Sequence, residues 1–149
     1  MEFVEAHRRI KRKKSLTLTY GKMHIVDTYA WIEYFIGSKK GEKAAVIIDD
    51  LNEPLITVEC CLAEIRGWTL REGQNFNEIY AIVKSNSEIS RVLTRMWIRA
   101  AEIRHEVRKT VPAFGLIDSV ILAVQEDKRC MVLTGDPHFE EMKDVVFLK

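Results

Sequence analysis

The sequence predicts an α/β fold built on a parallel sheet, and three observations carry that prediction. Short apolar runs that read as strands alternate along the chain with stretches of helical periodicity. The stretch GLIDSVILAVQEDKRCMVLTGD, Gly115 to Asp136, reads as a single helix followed at once by a strand buried on both faces. A chain of 149 residues with 47% apolar content is also long enough to form one domain with a real core.

Residues 1–22 stand apart from the rest. They hold seven of the 23 basic side chains and two of the 22 acidic ones, so residues 23–149 carry 16 against 20, a net charge of −4. The alternation of Leu16, Leu18 and Tyr20 with Ser15, Thr17 and Thr19 fits an added edge strand. A disordered arm and a start placed before a true first residue at Met23 are the other two readings. A basic arm would suit RNA phosphates, since such contacts dominate sequence-independent affinity. Residues 23–149 are expected to form the globular domain.

Met23 to Val26 reads as the first strand, closed by Asp27 and Thr28, and Tyr29 to Ile36 as an amphipathic helix stopped at Gly37-Ser38. A second helix is expected over Glu42 to Leu51 and a short strand over Leu55 to Val58. The next helix runs to about Arg71, with Gly73 beyond its end. Glu64 lies in its second turn, and because side chains lean toward a helix's N-terminus, a long carboxylate there reaches back to the strand end. Glu59, in the first turn, has its ordinary explanation in the helix dipole.

From Phe76 to Lys109 the periodicity stays helical, in two pieces parted near Ser85-Asn86-Ser87. Arg91, Arg95 and Arg99 recur at four-residue spacing and form a stripe, read as a solvated face with phosphate contact as the competing reading. In the stretch after Gly115, a helix of about 12 residues descends roughly 18 Å. A four-residue strand then climbs back about 13 Å. Asp118, in the first helical turn, and Asp136, just past the strand, therefore meet at one rim, outside the carboxyl ends of the strands where open α/β sheets bind ligands. A helical turn from Pro137 to Met142 and a last strand, Val145 to Leu148, complete the chain.

Composition excludes several classes. No uninterrupted apolar run approaches the roughly 20 residues that span a bilayer, so no membrane partner is expected. The basic N-terminus is followed by SLTLTYGK and not by the apolar core of a signal peptide, which gives a cytoplasmic reading. Cys60, Cys61 and Cys130 are odd in number and lack metal-site spacing, as fits buried thiols in a reducing compartment.

Asp27, Glu64, Asp118 and Asp136 are thus expected to converge from distant parts of the chain. Four carboxylates cannot all stay ionised at close range without a cation. All-oxygen ligation suits Mg²⁺ or Mn²⁺, and no cysteine or histidine is placed to make a zinc site. Such an ion activates water for in-line attack on phosphorus, so the implied reaction is phosphodiester hydrolysis. Thr28 and Thr134, beside the acids, are candidates to fix a carboxylate through their hydroxyls, or simple turn formers. A covalent aspartyl phosphatase would need a second Asp two residues after Asp27, and that position is Tyr29.

These residues resemble the PIN domains, and within them the VapC-type toxins of archaea and bacteria. The matching segments are HIVDTYAWIEYF, LITVECCLAEIRGW, FGLIDSVILAVQ and CMVLTGDPHFEEM, which together span nearly all of residues 23–149. The last two, with their spacing and TGDPHF, are the most specific. The resemblance implies a three-layer α/β/α fold and a metal-dependent endoribonuclease. In it Asp27, Glu64, Asp118 and Asp136 match the acidic quartet that holds Mg²⁺ or Mn²⁺, and Thr134 matches the small hydroxyl residue before the last acid. It further implies RNA as substrate, a protein antitoxin as partner and a homodimer. A second class is an RNA-binding module that keeps the fold without turnover. Trp31, Tyr34, Phe35 and Trp97 are candidates for a partner surface, with the core as the competing place for each.

Overall fold

The first apolar run forms β1 (His24–Val26), buried along its whole length. Full burial is what a strand covered on both faces requires. The computed structural model describes residues 23–149; the three readings of residues 1–22 lie outside the described residues. Asp27 then turns the chain into α1 (Thr28–Ile36), which ends at Gly37 with a φ of 73°. The helix α2 (Lys39–Ile48) begins three residues before the expected Glu42, because Ser38 accepts the amide hydrogen of Gly41 and caps it.

After β2 (Leu55–Val58) comes α3 (Glu59–Glu72), stopped by Gly73 at a φ of 62°. Asn75 caps α4 (Phe76–Asn86) by accepting from the Glu78 amide. The expected break near Ser85-Asn86-Ser87 holds a strand that the helical reading of Phe76 to Lys109 did not include: β3 (Glu88–Ser90) intervenes before α5 (Thr94–Val107) and pairs parallel with β2. Three residues at a sheet edge, the first of them exposed, are too few to impose a two-residue period on the sequence. The chain closes through α6 (Leu116–Lys128), β4 (Met131–Thr134), a 3₁₀ turn (Pro137–Phe139) and β5 (Val145–Phe147).

The sheet has five strands, all parallel, in the order β3-β2-β1-β4-β5. Ile25 lies beside Ile56 on one side and Val132 on the other. Alternation along β1 sends Ile25 and Val26 to opposite faces. On one face Val26, Leu55 and Leu133 pack against Trp31, Phe35, Ile65 and Trp68, whose rings stack in series. On the other, Ile25, Ile56 and Val132 meet Ala100, Phe114, Val120 and Val124. Helices therefore cover both faces, and the three-layer arrangement implied above is the one observed.

Three readings resolve with the packing. Trp31, Tyr34 and Phe35 are core, whereas Trp97 on α5 is 42% exposed. Cys61 and Cys130 are buried, Cys60 is half-buried, and none is in a disulfide. Of the arginine stripe, Arg95 binds Asp127 and Arg99 binds Glu126 and Glu102, so these two guanidinium groups tie α5 to α6. No helix among the described residues is long and apolar enough to cross a membrane.

From β1 the chain proceeds to β2 and β3 on one side, and from β4 to β5 on the other. The neighbouring strands β1 and β4 thus flank the topological switch point, and a crevice opens at their carboxyl ends.

Candidate active site

Asp27 leaves the end of β1 directly above this crevice and is only 5% exposed. Its Oδ2 accepts a hydrogen bond of 2.9 Å from Thr134 Oγ1, at the end of β4. The same hydroxyl oxygen accepts the amide hydrogen of Asp136 at 3.1 Å. Thr134 therefore links two of the four acids through one side chain, with donor and acceptor both used. It is fully buried, so each of those bonds matters.

Glu64 projects from the second turn of α3 and takes a 2.9 Å hydrogen bond from Thr28 Oγ1. Asp118 sits in the first turn of α6 and reaches back to the Gly115 amide, 3.2 Å from its Oδ2. Asp136 accepts from the His138 amide at 2.9 Å and so opens the 3₁₀ turn. All four acids line one cleft of about 530 Å³, together with Thr28, Tyr29, Ile32, Ala63, Gly67 and Arg71. The convergence expected from the sequence is the geometry observed. Tyr29 packs over Gly135, where a Cβ would fall 2.4 Å from its ring, so the glycine between Thr134 and Asp136 keeps that wall of the cleft in place.

Burial and mutual repulsion oppose ionisation here. Burial above all, with Glu64 and Asp118 nearby, pushes the Asp27 carboxyl up to about 7 against the pull of Thr134. Glu64 is raised by burial and then by Asp118 and Asp136, although part of its side chain is open to solvent. Asp118 is raised by burial and by Asp136, with Gly115 and His138 opposing. Among the described residues no lysine or arginine forms an ion pair with any of the four.

Two residues stand beside the acids that the sequence reading did not place there. His138 Nδ1 is 3.5 Å from both Asp118 Oδ2 and Asp136 Oδ1, and that nitrogen is buried with no hydrogen-bond partner among the described residues. The Asx turn at Asp136 was the available signal, since it curls the chain so that the residue two places on faces back. Cys61 lies close to Asp27 and Glu64. Its thiol is raised well above its ordinary range by the hydrogen bond with Cys60, by burial and by Asp27. The donor set around the cleft is mostly carboxylate oxygen. That composition, together with acids that no lysine or arginine among the described residues pairs with, fits a hard divalent cation.

The profile of the PIN domain matches residues 24–145, and the chain belongs to the PIN domain family. Among solved structures, it is similar to a chain of a toxin–antitoxin complex from Klebsiella pneumoniae, with 20% identity and a TM-score of 0.67 over 85% of this chain and 98% of that one. It is similar to VapC20 of Mycobacterium tuberculosis, a toxin that cleaves the sarcin-ricin loop, with 18% identity and a TM-score of 0.62 over 78% and 92%. VapBC2 from Rickettsia felis, bound to a fragment of its promoter DNA, is similar at 12% identity and a TM-score of 0.62 over 84% and 96%. At these identities the likeness is one of fold. No curated protein matches the chain.

Proposed function

We propose that the protein is an endoribonuclease of the toxin type that hydrolyses RNA phosphodiester bonds with Mg²⁺ or Mn²⁺. The observation that carries this reading is the gathering of Asp27, Glu64, Asp118 and Asp136 into one cleft without a compensating Lys or Arg ion pair among the described residues. Membership of the PIN family and the fold shared with toxin components support the same class.

Asp27, Glu64, Asp118 and Asp136 would hold the cation. When bound, it offsets their charge and activates water for in-line attack at phosphorus. Thr134 sets the position of Asp27 through its hydroxyl and that of Asp136 through the backbone, while Thr28 fixes the orientation of Glu64. The proposed partners are RNA as substrate, an antitoxin protein and a second copy of the chain. Trp97, Ile98 and Leu93 on and beside α5 offer exposed apolar surface to a protein partner.

Cleavage of total RNA by the purified protein tests the reading. The parent cuts with Mg²⁺ or Mn²⁺, excess EDTA abolishes cutting, and Asp118→Asn lowers the rate by at least about a hundredfold, the scale of losing a group that acts only in the transition state. A parent that leaves RNA intact with either metal, together with an Asp118→Asn variant that binds Mn²⁺ as the parent does, sinks the enzyme reading.

A further inference from the structure

The acidic cleft poses an electrostatic difficulty for its proposed substrate. A nucleic-acid strand gains most of its affinity from contacts between its phosphates and cationic side chains. Yet, among the described residues, the cleft wall carries four carboxylates and a single basic residue, Arg71. Arg95 and Arg99 of the stripe do not relieve the deficit, because they are engaged with acids of α5 and α6.

Arg71 lies in the last turn of α3, seven residues after Glu64 and four after Gly67, so the three share one face of that helix. Its guanidinium leans back over Gly67, where a built Cβ would stand 3.4 Å from Nη1. Among the described residues it has no hydrogen-bond or ion-pair partner, unlike Arg66 on the same helix, which stacks on Phe76. The helix dipole favours a cation in a last turn. It does not explain why this one lines the cleft. Both side chains lean toward the N-terminus of the helix, so their seven-residue separation sets the guanidinium roughly 10 Å along the axis from the Glu64 carboxylate. That is the scale of about one to two nucleotide steps.

Gly67 is the second observation. It sits in the middle of a 14-residue helix at an ordinary helical φ, and nothing but the Arg71 side chain crowds it. A glycine there costs stability relative to alanine, and no neighbouring backbone demands it. Its effect is to leave the wall bare between the acids and the guanidinium.

We propose that Arg71 grips a phosphate of the strand one or two steps from the one that is cut, and that Gly67 keeps open the path by which a single RNA strand passes from Arg71 to the acids. This inference rests on the nuclease reading. Guanidinium geometry suits the role, since its planar fork takes two oxygens of one phosphate.

The test is fluorescence anisotropy of a labelled single-stranded RNA dodecamer with the full chain, with Ca²⁺ in place of Mg²⁺ and the RNA checked for integrity, over a range of salt. Arg71→Ala is expected to bind about tenfold more weakly and to lower the log–log salt slope by about 0.7, the share of one phosphate contact on a single strand. Arg71→Lys restores the slope but only part of the affinity, because the point charge remains and the fork does not. Lys128→Ala removes the same charge at the C-terminal end of α6, beside the amino ends of the strands, and leaves affinity and slope as in the parent. Gly67→Ala raises the melting temperature by about 3 °C and weakens binding, two effects that a merely structural glycine would not combine. An Arg71→Ala variant with the parent's affinity and slope, or a Gly67→Ala variant that binds as tightly as the parent, overturns the inference and leaves the nuclease reading standing. A parent that neither binds nor cuts RNA overturns both.

Discussion

Thr134 and Asp27 show how much of the site rests on single hydrogen bonds. Thr134→Val keeps the shape of the side chain but removes the donor to Asp27 and the acceptor for the Asp136 amide. A loss of about 1–3 kcal/mol in stability is expected from urea melts, because two buried polar groups lose their partner. Asp27 adds a pH signature. In the unfolded chain it ionises near its ordinary 3.8, whereas in the folded, metal-free protein burial holds the proton until about 7. The folded state binds the extra proton between these values, so stability is full below about pH 4, falls as pH rises toward about 7, and stays reduced above it. Three pKa units correspond to on the order of 4 kcal/mol. Glu64 and Asp118, raised in the same direction, steepen the fall. Thermal melts in EDTA across this range check it, with Asp27→Asn flattening the slope; a parent whose stability climbs with pH over the same window contradicts it. The acids and Thr134 were readable in the sequence because each stands at a strand end or in the first two turns of a helix, positions that chain geometry alone sends to one rim. His138 was not, because its approach depends on how a three-residue turn curls.

At the scale of elements, helix contacts decide which positions tolerate change. A Cβ on Gly41 in α2 would lie 1.9 Å from the Glu33 carbonyl oxygen of α1, so the two helices cross backbone to backbone. Gly41→Ala forces them apart and is expected to cost about 1–3 kcal/mol or more, measured by chemical denaturation. Since α1 begins with Thr28, which fixes Glu64, cleavage should fall with it. A variant as stable as the parent would show that this crossing is not rigid. Most elements were readable from periodicity and stop signals, as Gly37 and Gly73 show by ending their helices in the left-handed region. The start of α2 was set by Ser38, a cap whose signal the apolar pattern obscured, and β3 was hidden by its shortness. The arginine stripe was visible, but Asp127 and Glu126 lie about thirty residues away along the chain, beyond the reach of local spacing.

For the molecule as a whole, the strand order creates the site. Placing β1 and β4 side by side at the switch point brings Asp27 within a hydrogen bond of Thr134, 107 residues further along the chain. Helices α3 and α6 then carry Glu64 and Asp118 to the same rim from opposite faces of the sheet. The alternation of elements foretold the parallel sheet, and hence the rim, because parallel strands leave all their carboxyl ends on one side. Alternation does not encode the order of five strands, so the edge position of β3 had to come from the structure.

The most direct measurement is anomalous diffraction from a crystal of the protein soaked in Mn²⁺. The expected result is a peak in the cleft, about 2.0–2.2 Å from carboxylate oxygens of Asp27 and at least one of Glu64, Asp118 and Asp136. A cleft without manganese at millimolar concentration, or a peak bound elsewhere with Asp27 held only by Thr134, would contradict the gathering of these acids around a cation.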